Sequence, residues 1–247
     1  MKELLSVTFI SLLLAGCGEE AQKKTGQNET AQNKTKDDPN VPLAIPCVAC
    51  GEKVSKKTTE CRQCGHPTPD SVVAYKKAQE EERRIKSYGG PVALAKIKEA
   101  KESDATKLDL RDLQISDLTP LKGLTNLETL WLYKNQISDL SPLKGLTNLK
   151  SLDLERNQIS DLSPLAGLTN LKWLDLKRNQ ISDLIPLAGL RNLSSLTLNE
   201  NFFSDLSPLK GLTNLKEVTF SGNEIPNEQK ALLHNALPKC RLRFGTF

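Results

Sequence analysis

Leu127-Glu128-Thr129-Leu130-Trp131-Leu132-Tyr133-Lys134-Asn135-Gln136-Ile137-Ser138-Asp139-Leu140-Ser141-Pro142-Leu143-Lys144-Gly145-Leu146-Thr147-Asn148 is the stretch that decides the fold. Its signature returns at a constant step of 22 residues, with proline at 120, 142, 164, 186 and 208 and asparagine at 135, 157, 179, 201 and 223. A strict period of this size marks stacked units, each burying its apolar side against its neighbours. Within the unit, Leu130 and Leu132 alternate with outward residues and form one face of a short strand. Asn135 turns the chain out of the strand, and asparagines stacked at this position can bond neighbouring backbone groups in a ladder. Pro142 fixes φ on the opposite side, where a 3₁₀ or irregular segment takes less space than an α-helix. Narrow outer segments predict a shallow curve.

Leucine shows how far this architecture extends. Of 42 leucines in 247 residues, 35 lie between Ala105 and Phe247, five in the first 14 positions and two between Cys17 and Asp104. Only the C-terminal part can therefore build a sizeable apolar core. The unit has the L-x-x-L-x-L-x-x-N-x-I form of a leucine-rich repeat. It closely resembles the repeats of the internalin family, including the outer segment Ile137-Ser138-Asp139-Leu140-x-Pro142-Leu143. The resemblance spans roughly Ala105 to Phe247. It implies an α/β leucine-rich-repeat solenoid, with a parallel sheet on the concave face, short 3₁₀ or irregular convex segments, and non-enzymatic protein recognition.

Departures from the repeat mark its ends. Leu113 stands where the first ladder asparagine belongs, and Phe203 replaces an isoleucine, which should perturb packing locally. Pro226 to Ala236 looks helical. One further period then places Cys240 and Leu242 at the inward positions and Gly245 at the asparagine position, giving seven strands with the last in a C-terminal cap. Cys240 reads as a small buried hydrophobe.

Parallel strands stack side by side, so their outward residues form columns. One column reads Asp109, Trp131, Asp153, Asp175, Thr197, Thr219, Arg241. The next reads Arg111, Tyr133, Glu155, Lys177, Asn199, Ser221, Arg243. Trp173 lies in the adjoining column, and Lys134, Arg156 and Arg178 line the far edge. Both tryptophans of the chain thus face outward, although the inward set is leucine and needs neither. Exposed Trp and Tyr beside charges have the composition of a protein-binding hot spot. The candidate contacts are Trp131, Tyr133 and Trp173 as anchors, with Asp153, Glu155, Arg156, Asp175, Lys177 and Arg178 setting orientation. The alternative is that such positions tolerate any residue and the aromatics only cover aliphatic stems.

The region before the repeats carries different chemistry. Residues 1–16 read as an export signal: Lys2, then an apolar run from Leu4 to Ala15, too short to span a bilayer. The run ends Leu14-Ala15-Gly16-Cys17, which resembles the lipobox of bacterial lipoproteins. That resemblance implies cleavage before Cys17, diacylglycerol on its sulfur, and a lipid-anchored protein of the bacterial cell envelope. Residues 17–44 form a polar tether without apolar periodicity. In 45–69, Cys47-x-x-Cys50-Gly51 and Cys61-x-x-Cys64-Gly65 supply four thiolates for one closed tetrahedral site, the pattern of a structural zinc ribbon. Two disulfides are the alternative in an oxidising compartment. His66 reads as an exposed loop residue. Residues 70–104 form a solvated helical spacer, broken at Gly89-Gly90-Pro91, and a second helix with Ala93, Leu94, Ile97 and Ala100 on one side that caps the solenoid.

Function follows by class. A net charge of +4 gives no strongly basic nucleic-acid surface. No phosphate loop, G-x-S-x-G elbow or H-E-x-x-H motif occurs, and the two histidines, His66 and His234, lie outside the regular repeats. An enzyme is not expected. A monomeric, membrane-tethered protein-binding module is, with a cytoplasmic zinc-ribbon adaptor as the alternative.

Overall fold

The computed structural model describes residues 45–46, 53–54 and 69–245. The signal, the tether with Cys17, the ribbon cysteines Cys47, Cys50, Cys61 and Cys64, and His66 lie outside the described residues. The chain divides into two units, Met1–Arg83 and Arg84–Phe247. In the first, β1 (Ile45–Pro46) pairs antiparallel with β2 (Lys53–Val54), matching Ile45 with Val54 and Pro46 with Lys53. Helix α1 (Pro69–Ser87) begins in this unit, with its surface pair Arg83–Glu80 at 3.6 Å, and its last four residues belong to the second. Among the described residues, no helix is long and apolar enough to cross a membrane.

The second unit is a solenoid. Helix α2 (Gly90–Glu102) precedes β3 (Lys107–Asp109), β4 (Thr129–Trp131), β5 (Ser151–Asp153), β6 (Trp173–Asp175), β7 (Ser195–Thr197) and β8 (Glu217–Thr219). Helix α3 (Asn227–Ala236) and β9 (Arg241–Arg243) complete it. The seven strands form one parallel sheet in chain order. Between successive strands of β3–β8 lie the 3₁₀ turns Thr119–Leu121, Ser141–Leu143, Ser163–Leu165, Ile185–Leu187 and Ser207–Gly211. Each carries the expected proline as its second residue. An aspartate two residues ahead accepts the first N–H of the turn, as Asp139 Oδ1 does from Ser141 N at 2.8 Å and Asp161 Oδ1 from Ser163 N at 2.8 Å. Bonds to Ser141 and Ser163 hold both of these carboxyls below the usual range.

Leucine and isoleucine fill the interior, and α2 closes one end by burying Ala93, Ile97 and Ala100 in the same core. Gly89 makes that closure possible. Its φ is +88°, and a Cβ there would lie 2.6 Å from Ile115 Cγ1 and 3.0 Å from the Leu113 carbonyl oxygen. Nearby, the Ser87 carbonyl accepts N–H bonds from Ser116 at 2.8 Å and Asp117 at 3.0 Å, which ties the chain before α2 to the first repeat.

The buried asparagines link successive repeats. Asn179 Oδ1 accepts Ile159 N–H at 3.1 Å from the preceding repeat, while its Nδ2 donates to Leu154 O at 2.9 Å and Leu176 O at 3.1 Å. Asn135, Asn157 and Asn201 make equivalent bonds. At Phe203 the pattern shifts: Asn223 Oδ1 accepts Asn201 N–H at 3.2 Å. The larger ring is accommodated by an aromatic cluster, in which Phe203 meets Phe220 edge-on at 6.4 Å and Phe220 stacks on Phe244 at 4.9 Å. The local disturbance expected from the sequence is thus absorbed by two more phenylalanines.

The final repeat differs from expectation. Val218 pairs with Leu242, Glu217 with Arg241 and Thr219 with Arg243. Arg241 and Arg243 therefore each stand one column away from the places a constant period gives them, and Cys240 precedes the strand instead of pairing within it. Helix α3 replaces the 3₁₀ turn and lengthens this segment by two residues, which resets the register. Cys240 is buried nonetheless, and burial raises its thiol pKa.

Asn179→Ala should leave three buried backbone groups unmatched and cost roughly 2–4 kcal/mol in urea unfolding. Asn170, whose Nδ2 donates to Thr147 O on the exposed outer side, should cost under about 1 kcal/mol when replaced by alanine. Similar small losses for both would contradict the ladder's role.

Candidate binding surface on the strand face

The register that buries Leu130, Leu152, Leu174 and Leu196 turns the intervening strand residues to the opposite side of the sheet. Trp131, Asp153, Asp175 and Thr197 are successive partners there, and Thr129, Ser151, Trp173 and Ser195 form the adjoining column. Two residues after the first column come Tyr133, Glu155 and Lys177. Trp131, Trp173, Tyr133, Asp153, Glu155, Asp175 and Lys177 are all half-buried. The sequence-predicted residues of the central repeats thus share one face, and neither tryptophan contributes to the buried core.

The edge of this face is built on backbone strain. Asp112, Lys134, Arg156, Arg178 and Glu200 all have φ between 55° and 58°, each immediately before the ladder position. Gly222 takes that place in the next repeat with φ +78°. Left-handed backbone is costly for residues with a Cβ. It persists because each N–H continues the bonding between repeats, as Arg156 N does to Lys177 O at 2.9 Å and Arg178 N to Asn199 O at 2.9 Å.

Most charges on the face are matched internally. Arg178 Nε donates to Glu200 Oε2 at 2.6 Å, and Lys177 Nζ lies 3.8 Å from Glu155 and 4.0 Å from Glu200. Arg156 reaches Glu155 at 3.7 Å, and its guanidinium carbon stands 5.9 Å from the Tyr133 ring centre. Arg111 pairs with Asp109 at 2.7 Å and lies 6.0 Å from the Trp131 ring centre. Glu200 and Arg111 join this network beyond the residues that the sequence singles out as contacts. Glu200 stands at the repeat position of Arg178, and Arg111 at that of Tyr133, so the period is the signal that points to both.

Asp153 and Asp175 differ from these acids. Asp153 Oδ1 accepts Glu155 N–H at 3.1 Å and Asp175 Oδ1 accepts Lys177 N–H at 2.9 Å, and neither joins a salt bridge among the described residues. They are direct cross-strand partners, an arrangement that sets like charges opposite each other. Burial, opposed in part by the backbone bond to Lys177 and reinforced by Asp153 and Glu155, pushes Asp175 up to about 6. Burial also raises Asp153. In the same column, the side-chain bond from Arg111 brings Asp109 down to about 2.

Because Asp175 holds its proton more tightly folded than unfolded, its ionisation weakens the fold as pH rises from 3.8 through about 6. Asp175→Asn keeps an oxygen for the Lys177 N–H and removes the charge. It should raise Tm at pH 7.5 by about 2–5 °C, with the gain vanishing near pH 4. An unchanged or lower Tm at pH 7.5 would contradict this electrostatic account.

Comparison with known proteins bears on the repeat architecture. The family model described as leucine-rich repeats (2 copies) matches residues 106–145, 125–167, 147–191 and 169–211. Among solved structures, internalin C2 from Listeria monocytogenes is 40% identical, over 57% of this chain and 70% of that one, with a TM-score of 0.48. A leucine-rich-repeat protein from Leptospira interrogans is 30% identical, over 53% of this chain and 35% of that one, with a TM-score of 0.51. Another Listeria monocytogenes internalin is 29% identical, over 61% of this chain and 49% of that one, with a TM-score of 0.47. No curated protein matches. By its repeat matches and its seven-stranded parallel solenoid, the chain is a leucine-rich-repeat protein, with internalins among the structures it is similar to.

Proposed function

We propose that this protein is a non-enzymatic binding module that captures a protein or peptide on the strand face of its solenoid, the concave face of such folds. The observation that carries this reading is the placement of Trp131 and Trp173, the only two tryptophans of the chain, outside the core on adjacent columns. Large rings that leave the core to leucine and stand among charges suit a binding anchor. Glu155, Lys177, Arg156, Arg178 and Glu200 hold one another in place, so they would meet a ligand already ordered and fix its orientation.

The same proposal gives the N-terminal region the task of presentation. A diacylglyceryl group on Cys17 would tether the module at the bacterial envelope, and zinc on Cys47, Cys50, Cys61 and Cys64 would stabilise a ribbon between tether and repeats. The antiparallel pairing of β1 with β2, the strands that precede and follow Cys47 and Cys50 in the chain, supports the ribbon.

Cross-linking in the native cell envelope followed by pull-down of the full chain should recover a partner protein. The Trp131→Ala/Trp173→Ala variant should lose it while keeping the wild-type circular dichroism spectrum. Undiminished capture by the variant would overturn the proposal. Intact-mass measurement of the purified protein should show a diacylglyceryl group that Cys17→Ala removes, together with one bound zinc. Unlipidated protein in the cytosol would favour the adaptor reading, and two disulfides without zinc would replace the ribbon.

A further inference from the structure

We infer that the strand face between Trp131 and Trp173 takes a basic polypeptide segment, seating one arginine or lysine side chain over the adjacent carboxylates of Asp153 and Asp175. This rests on the protein-binding reading and specifies the chemistry of its ligand. The acids of the face are nearly all paired. Asp109 has Arg111, Asp112 has Lys134, Glu128 has Lys150, Glu155 has Lys177 and Arg156, Glu200 has Arg178, and Glu217 has Arg243. Asp153 and Asp175 break that pattern, although they stand side by side at the centre of the sheet. Their backbone bonds use one oxygen each, which leaves the second oxygen of both carboxylates without a hydrogen bond or salt bridge among the described residues; Arg111 and Lys177 attract them only from beyond salt-bridge distance.

A cation from outside the chain resolves this arrangement. Neighbouring strands lie about 4.8 Å apart, so a guanidinium or ammonium group between two outward carboxylates reaches both. The aromatic rings favour the same ligand. Trp131 adjoins Asp153 in the same column, and Trp173 stands two residues before Asp175 on the same strand. An indole beside the entering side chain covers its aliphatic stem and attracts its charge. Burial first, and Asp153 and Glu155 second, raise the pKa of Asp175 against the attraction of Lys177, and a cation seated between the two carboxylates would offset both costs. A bare metal ion fits less well: among the described residues, no group of three or more Asp, Glu, His or Cys converges to hold one. Charge complementarity therefore points to a protonated side chain with an apolar stem.

Both tryptophans of the chain border the site, so intrinsic fluorescence reports on it directly. The full chain would be titrated at low salt and pH 7.5 with acetyl-Gly-Arg-Gly-amide and with the same peptide carrying citrulline, which keeps the shape and removes the charge. The arginine peptide should bind at least about tenfold more tightly, and added salt should weaken it. Asp153→Asn/Asp175→Asn should abolish the preference while keeping the wild-type circular dichroism spectrum. No response to the arginine peptide at millimolar concentration, equal binding of the two peptides, or a preference that survives in the double variant would each overturn the inference. A protein partner kept by the double asparagine variant but lost by Trp131→Ala/Trp173→Ala would overturn it too, while leaving the protein-binding reading in place.

Discussion

A buried amide side chain that reaches from one repeat to the next is the interaction on which the solenoid depends. Asn157 shows the geometry: its Oδ1 accepts Ile137 N–H at 3.1 Å, and its Nδ2 donates to both Leu132 O and Leu154 O at 3.0 Å. The strands have only three residues each, too short for their own ladder bonds to fix the turn that follows. The asparagine supplies both a donor and an acceptor at that turn, where water is excluded. An aspartate could not donate and a leucine could do neither. Register between repeats is thereby set, and register decides which side chains share a face.

The consequence for function is a rigid frame carrying a strained edge and an unequal distribution of charge. Left-handed backbone at Lys134, Arg156, Arg178 and Glu200 is tolerated because the ladder and the interstrand bonds determine it from both sides. The side chains leaving those positions are the ones that build the ion-pair network. Matched charges at the edge and unmatched carboxylates at the centre then follow from the same repeat geometry with different residues at equivalent positions. Such a surface varies its chemistry without altering its backbone, because each outward position is independent of the leucine core.

The repeats were legible in the sequence because every position in the unit has one duty and the duty recurs. Asparagine, proline and the paired leucines could be assigned from spacing alone, and with them the seven strands and the face bearing Trp131 and Trp173. The last strand was not legible, since α3 changes the length of its segment and a constant period then misplaces Arg241 and Arg243. The left-handed positions were hidden for another reason. Lysine, arginine and glutamate occupy the central ones, and only Asp112 and Gly222, near the two ends, are residue types that favour such backbone. A second asparagine series, in which Asn148, Asn170 and Asn192 each donate to a threonine carbonyl one repeat away, was visible as part of the motif without an evident task. The pairing of face residues was the least legible part. Contacts such as Arg178 with Glu200 depend on side-chain reach across a repeat, which spacing does not encode.

The central claim is that ligand meets the strand face and not the outer side of the solenoid. A photo-reactive amino acid placed at Ser151, between Trp131 and Trp173 on the strand face, would be compared in the native envelope with one placed at exposed Ser160 in the same repeat. The account predicts a cross-linked protein adduct from position 151 and none from position 160. An adduct from position 160 with none from position 151 would contradict it.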